Sequence, residues 1–588
     1  MHSLHRNRIE RTASKRWRGS VRRLVSAAVF NLSCFTHGCS TGWVSGVLGS
    51  EALAGGAWLA ALPCLVALPA APFFAVLADS RGRKTGALCI CLSFILSWSL
   101  AAWCGARGIW AARVAAGVGA AGAFALAPLY GAEISPRTKG LAAMPTLACS
   151  CGILFAFIAG GVLSAHTLSL SMAAPPAVLL VSLVWLPETP SYLISVGRMQ
   201  DAAKVICWLD GSDFREDLTD AIEQQEVMIR TEPSRRDSDA LTPMLMRSRS
   251  EGTSEGTERS VCRDLFRHRR SRRALISCCL LLTAAAGSGA GAVNSFGIAV
   301  LSHSGHALPA LNLTAYNITV YNGTVSRGWQ ETAETGSVLC GTALVLGAAV
   351  ATATVDRLGR KVLLLISCFG IALCLTILGI YCDPRLNMYS WYTHQLWPYK
   401  KSITNREKNN DNLTSINMIS ETLMYSNLND TDENSKPFYR VTEKNNSIDE
   451  GYVQVVQNAT EEVKDKSIWP TVILLSMLVF LYNIGLGSVP YVLISELFSP
   501  RIRTLASSLL ISWMWLSSFF TLRYFGTLAT AIGLHGTFYF GASITFLISW
   551  YIYLIIPETR GKNQKQIDEL LDGPLFVHVK KRRKVNQT

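Results

Sequence analysis

The sequence predicts an all-α polytopic membrane protein, with twelve transmembrane helices in two six-helix, pseudo-repeated bundles. Three observations lead there. Apolar residues arrive in runs of roughly 20, the length a helix needs to cross the hydrocarbon core; Leu59–Leu77, Gly336–Val355 and Ile468–Ile484 are examples. Charged residues make up only 16% of the 588 and mean hydropathy is +0.26, where soluble chains carry about 25% charge. Short charged motifs also recur at matching places in the two halves. Together these exclude a soluble enzyme, a secreted scaffold and a β-barrel.

In chain order, the first half reads as spans at 22–47, 53–78, 85–104, 108–132, 141–164 and 168–186. The second half reads as spans at 274–301, 336–355, 362–382, 468–494, 504–529 and 535–556. The first run is long, interrupted by polar residues and lacks a small-residue cleavage site, so it reads as a retained span and not as a signal peptide. The net charge of +14 does not point to nucleic acid, because of where it sits. Arg6, Arg8, Arg11, Lys15, Arg16, Arg18, Arg22 and Arg23 precede span one, and Lys580–Lys584 lie near the C-terminal end. Both clusters fit cytoplasmic flanks under the positive-inside rule.

The expected organisation is a cytoplasmic basic segment (1–21), a first bundle (22–186), a cytoplasmic loop (187–273), a second bundle (274–556) and a cytoplasmic tail (557–588). Residues 199–230 of the loop have helix-like stretches, and 231–260 have the polar composition of a disordered tract. Of the 16 cysteines, most lie in apolar runs, among them Cys34, Cys64, Cys89, Cys149, Cys278 and Cys368. They read as small buried hydrophobes. No CxxC pair or HExxH helix marks a metal, and no cofactor is implied.

Asparagine sequons check the topology independently. Asn312, Asn317 and Asn322 fall between spans seven and eight, in an expected outer loop at 302–335. Asn412, Asn429, Asn445 and Asn458 fall between spans nine and ten, in an expected outer loop at 383–467. Seven glycosylation sites in two loops on one side agree with cytoplasmic termini.

The halves repeat one another at their cytoplasmic ends. ADSRGRK (Ala78–Lys84) follows span two and VDRLGRK (Val355–Lys361) follows span eight. EISPRTKG (Glu133–Gly140) follows span four and ELFSPRIR (Glu496–Arg503) follows span ten. PETPSYLISVGR (Pro187–Arg198) and PETRGK (Pro557–Lys562) follow spans six and twelve. Carboxylates Asp79, Glu133, Asp356 and Glu496 thus stand beside Arg83, Arg360 and Arg503, where charges can pair across helix ends. Positive-inside charge alone needs no acid at matching positions in both halves.

These motif pairs, in register across twelve spans, resemble the parallel-repeat signature of major facilitator transporters. The chain resembles a sugar porter of that superfamily, similar to facilitative glucose transporters and to arthropod facilitated trehalose transporter-like members. The stretches MPTLACSCGILFAFIAGG and PETPSYLISVGR carry much of the latter likeness. The resemblance implies the major facilitator fold and a gate on the cytoplasmic side made by Asp79, Arg83, Arg113, Glu133, Lys139, Glu188, Asp356, Arg360, Glu496, Arg503 and Glu558. It also implies Glu188 as the partner of Arg113, an intramembrane cation that is functional by default. Departures from the family pattern are Ala75, Ser191 and Lys139, the last with one residue missing before it. They imply a looser gate in the first half than in the second.

The resemblance further implies a path lined by amides and hydroxyls. The family's span-seven amides fall on Ala285, Ala286 and Gly291, so the remaining polar set is Ser40, Ser150, Ser288, Asn294, Asn483, Tyr491, Ser512 and Trp513. Ser40 stands where proton symporters of this resemblance carry an aspartate. His37 reads as a packed neutral imidazole and not as a proton shuttle. The expected activity is facilitative uniport of a hexose or trehalose-like disaccharide across the plasma membrane, by alternating access and without enzyme chemistry. A carrier of another small metabolite, or a non-transporting sugar receptor, is the alternative. The implied partners are a small-molecule sugar and membrane lipids, with no nucleic acid; oligomeric state is not readable.

Overall fold

The computed structural model describes residues 17–47, 56–135, 143–211, 265–295, 327–383, 469–562 and 564–573, nearly all of them helical. The chain divides into two compact units. One takes in residues 1–304, 308–379 and 468–588. The other comprises 305–307 and 380–467, of which only 380–383 are described, as the end of span nine.

Among the described residues, nine helices are long and apolar enough to cross a membrane. They are spans two (Ala57–Arg81), three (Arg83–Trp103), four (Arg107–Ile134), six (Ala165–Ser182), eight (Thr335–Leu358), nine (Arg360–Cys382), ten (Trp469–Leu497), eleven (Ile502–Ala529) and twelve (Ala531–Ile555). Span five is the shorter helix Met144–Gly160. Span one is the helix Leu32–Val47, continuous with helical residues 17–30 because Asn31 N donates to Ala27 O and Phe35 N to Asn31 O, both at 3.0 Å. Span seven is described from Arg269 to Gly287 as a helix and onward to 295, and the rest of the expected span lies outside the described residues. The helices of spans eleven and twelve meet at Gly533, whose φ of 77° breaks the run.

Span one packs on span five, span three on span four, and span eight on span ten. The two halves meet along two seams, span two against span eleven and span five against span eight. Gly38 and Gly152 make the first of these packings close: a Cβ on Gly38 would run into the Cys149 carbonyl, and one on Gly152 into that of Phe35. Small residues permit such backbone approach where apolar lipid gives helices no hydrophobic reason to associate.

Span two carries Pro63, Pro69 and Pro72 inside its helix. A proline has no N–H, so each one frees the carbonyl four residues earlier. In hydrocarbon that carbonyl needs another donor. Two of the three freed carbonyls accept from side chains of neighbouring spans: Arg113 Nε donates to Leu59 O at 2.9 Å, and Ser512 Oγ to Leu68 O at 3.0 Å. The prolines thereby turn an apolar helix into an acceptor for its neighbours.

Short helices follow the bundles' last spans in sequence. Met199–Asp210 ends on Gly211 in the left-handed region, and Arg22 of the segment before span one donates to its Trp208 carbonyl at 2.9 Å. Gln564–Asp572 is met in the same way by the first turns of the span-seven helix, with Arg270 pairing Asp568 at 3.2 Å and Arg273 donating to the Leu571 carbonyl. Cations at a helix C-terminus complement its dipole and its unpaired carbonyls.

Candidate functional site

The duplicated motifs build two matching clusters. In the first half Arg83 Nη2 meets Glu133 at 2.6 Å while Arg83 Nη1 donates to Ala78 O at 2.9 Å. In the second, Arg360 Nη2 meets Glu496 at 2.9 Å while Arg360 Nη1 donates to Val355 O at 2.8 Å. Each arginine therefore ties the end of one span to the end of another. The Arg360 and Glu496 side chains are both 3% exposed, so their pairing is little screened.

Glu188 and Glu558 complete the clusters through the backbone. Glu188 accepts from Arg83 N at 3.0 Å and Lys84 N at 3.1 Å, and Glu558 accepts from Arg360 N at 3.1 Å and Lys361 N at 3.0 Å. Each acid caps the first turn of the third span of its half, where unpaired N–H groups and the helix dipole favour a carboxylate. This explains the glycine of the GRK turns. Gly82 and Gly359 have φ of 93° and 97°, and a Cβ would lie 2.5 Å from Glu188 Oε2 in one and 2.7 Å from Glu558 Oε2 in the other. Positive φ and the incoming carboxylate both require the missing side chain.

The two clusters differ in detail. Asp356 reaches Arg360 at 2.9 Å, whereas Asp79, half exposed like Asp356, stands 3.7 Å from Arg83. Thr559 Oγ1 donates to Glu496 Oε2 at 2.7 Å. The equivalent atoms in the first half, Thr189 Oγ1 and Glu133 Oε2, are buried and make no comparably close hydrogen bond among the described residues. Arg503 donates from Nε and Nη2 to Phe498 O at 3.3 and 3.1 Å. Lys139 lies outside the described residues, as do all seven sequon asparagines.

Arg113 does not belong to these clusters, which corrects the expected pairing with Glu188. It shares one helix, Gly105–Ile134, with Glu133. At 1.5 Å per residue the two stand about 30 Å apart, and Glu188 sits at the Glu133 end. Arg113 reaches sideways instead, to Leu59 O at 2.9 Å, Ser40 O at 2.9 Å and Ser40 Oγ at 2.8 Å. The acid is taken by backbone N–H groups at one end of the helix, while the cation is held by neutral oxygens near the other.

The expected path residues are mostly held by one another or by main chain. Asn483 Nδ2 donates to Ser150 Oγ at 2.7 Å and to Leu344 O at 2.8 Å, bridging spans ten, five and eight. Thr146 Oγ1 adds a bond to Gly487 O at 3.0 Å. Ser288 is buried and donates to Ala285 O at 2.7 Å, and Ser512 is the donor to Leu68. Asn294 is half-buried near the end of the described part of span seven. Tyr491 OH contacts Met514 Sδ at 2.9 Å. Trp513 is 41% exposed, with its Nε1 donating to Thr283 Oγ1 at 3.0 Å.

Sequence reasoning missed two rings that the structure places at the meeting of the halves. Trp515 is buried, and its ring stands edge-on to His37 at 5.4 Å and to Phe124 at 5.9 Å. Phe124 in turn lies 5.4 Å from His37 and 5.6 Å from Tyr491. Spans one, four, ten and eleven each contribute one ring. A separate cavity of about 260 Å³ lies behind span seven, against Ser288 and Gly289, and is walled mainly by apolar residues such as Leu375, Leu475, Phe525 and Phe538.

Twelve-span architecture with paired, duplicated ion-pair clusters defines a polytopic membrane transporter of the major facilitator class. The chain belongs to the sugar (and other) transporter family, whose model matches residues 49–394 and 452–571. It is 24% identical over 515 residues to the facilitated trehalose transporter Tret1 of Bombyx mori, covering 87% of this chain and 78% of that one. It is 23% identical over 540 residues to a facilitated trehalose transporter Tret1-2 homolog of Drosophila simulans, covering 90% and 82%. Among solved structures, the proton:xylose symporter XylE bound to 6-bromo-6-deoxy-D-glucose matches with a TM-score of 0.58 at 15% identity, over 94% of this chain and 100% of that one. That likeness establishes the fold.

Proposed function

We propose that the protein carries a sugar, a hexose or a trehalose-like disaccharide, down its gradient by alternating access. The observation that carries this reading is the matched pair of clusters, Arg83–Glu133 and Arg360–Glu496, each capped by the acid that follows the sixth span of its half. Both partners of each pair lie in one half, so the pairs fasten the span ends of a half into a unit that can move against the other, as a two-state carrier requires. The cargo class follows from the trehalose-transporting relatives. Both termini and the 187–273 loop are cytoplasmic in this reading, the protein resides in the plasma membrane, and the sequon-bearing loops are extracellular.

The polar path is sparse for a carrier of polyhydroxylated solutes, since most of its hydroxyls and amides already have partners. Radiolabelled uptake in oocytes over glucose, fructose, trehalose and polyols tests the reading. Saturable uptake of at least one sugar is expected; absence of uptake of every one at verified surface expression would overturn it.

A further inference from the structure

Most of the polar groups at the meeting of the halves already have partners. Ser40 is held by Arg113, Ser150 and Asn483 by each other, Ser288 by Ala285 O, Ser512 by Leu68 O and Trp513 by Thr283. Tyr491 OH faces the Met514 sulfur. Trp515 stands apart from this set. Its side chain belongs to a residue only 4% exposed, yet the indole Nε1 has no hydrogen-bond partner among the described residues. A buried donor without an acceptor is costly to keep, and a native structure that retains one calls for an explanation. The ring beside it, His37, has side-chain hydrogen bonding only at long range, with its Nε2 3.5 Å from Thr41 Oγ1.

We infer that Trp515 and His37 form the hydroxyl-recognising pair of the transport path and take over the polar recognition that the alanines and glycines of span seven do not supply. The inference deepens the sugar reading and rests on it. A neutral imidazole offers one donor and one acceptor and an indole one donor. Together they match a vicinal pair of sugar hydroxyls. Phe124, packed against both of these rings, and Tyr491, packed against Phe124, give the apolar ring surface that the C–H face of a pyranose needs. The four rings come from both halves, so a solute held there is handed between them as the halves move. A site that satisfies its own buried donor only when substrate is present discriminates steeply against analogues that lack the matching oxygen.

Another buried indole separates this role from simple packing. Trp98 is 3% exposed and its Nε1 likewise has no partner among the described residues, but its ring lies within the first half against Trp43, at 6.3 Å. The test compares uptake kinetics of Trp515→Phe, Trp98→Phe and His37→Phe at surface expression matched by biotinylation, on a sugar the wild-type chain carries and on its monodeoxy analogues. Trp515→Phe keeps the ring and removes the donor. It should raise KM about tenfold, the loss expected for one hydrogen bond of this kind, with His37→Phe changing KM in the same direction and Trp98→Phe leaving it within twofold. One deoxy position should weaken uptake by the wild type and have no further effect on Trp515→Phe. If Trp515→Phe reaches the surface poorly, the same deoxy comparison on His37→Phe decides. Unchanged KM in both ring variants, or equal deoxy losses in wild type and variants, would overturn the inference while the sugar reading stands. Absence of any sugar uptake by the wild type would overturn both.

Discussion

Ser512 Oγ donates to the Leu68 carbonyl at 3.0 Å, and Leu68 is four residues before Pro72 in the same helix. The proline creates the acceptor and the serine of the opposite half uses it. The seam between spans two and eleven thus contains a hydrogen bond that exists because a helix bond is missing.

This relationship predicts non-additivity. Ser512→Ala should destabilise the detergent-solubilised protein by about 1 kcal/mol, the net worth of one hydrogen bond whose acceptor is left buried. Pro72→Ala restores an N–H that competes for Leu68 O, so the same serine substitution should cost much less in that background. Melting curves of the four proteins check it; equal losses in both backgrounds would sink the idea.

The capping carboxylates predict a contrast between two glycines that both have positive φ. Gly82→Ala places a methyl group 2.5 Å from Glu188 Oε2, whereas nothing lies within 4 Å of a Cβ on Gly105, where φ is 58°. Gly105→Ala should cost about 1 kcal/mol of backbone strain. Gly82→Ala should cost that and also displace the cap, lowering surface expression and transport severalfold further. Comparable behaviour of the two variants would mean that Glu188 yields freely.

The clusters at the span ends are unequal, and the inequality is measurable. Glu496 is bonded by both Arg360 and Thr559, while Asp79 stands 3.7 Å from Arg83. The second-half cluster is expected to hold more firmly. Arg503→Ala should therefore reduce uptake at matched surface expression more than Lys139→Ala does. Removing one partner from a buried pair costs about 3–5 kcal/mol, so substitution of Glu496 by Gln should be more severe than either. Equal losses at Arg503 and Lys139 would count against the asymmetry.

Topology predicts where carbohydrate is attached. Replacing Asn312, Asn317, Asn322, Asn412, Asn429, Asn445 and Asn458 by Gln should sharpen and lower the gel band and abolish its sensitivity to glycosidase. A band unchanged in size and still sensitive would place the two loops on the other side.

Much of the fold was legible because its signals are local. Span lengths follow from hydrocarbon thickness, and the GRK turns announce a glycine that the structure places at φ 93° and 97°. The role of Glu188 was not legible, because it is defined by backbone N–H groups 105 and 104 positions away in the chain. Arg113 has partners other than the one the resemblance implies, because likeness of motif says that a charge is present without saying at which depth. The length of its own helix gives the depth. Trp515 went unseen for a different reason. It stands two residues from Trp513, roughly 200° around the helix, and in a run apolar on all sides the pattern does not say which face turns inward.

The last prediction concerns energy coupling and turns on Ser40. Arg113 donates three hydrogen bonds, two of them to Ser40 and one to Leu59 O, all to neutral oxygens. A proton-coupled cycle needs a group that gains and loses charge between the two sides of the membrane. Serine does not titrate in the useful range, and no Asp or Glu occurs from Leu24 to Gly49. Span one therefore offers no carboxylate against Arg113, and net flux should follow the solute gradient alone. Uptake should persist with a protonophore and produce no substrate-dependent inward current under voltage clamp. The converse substitution sharpens the test. Ser40→Asp places an anion within reach of a buried cation, and breaking such a pair in each cycle is costly unless a proton neutralises the acid. Transport by Ser40→Asp should be slow at neutral pH and recover as pH falls, while wild-type uptake stays flat over the same range. Accumulation by the wild type above the external concentration, collapsing when the proton gradient is removed, would defeat this reading and make His37 the group to examine.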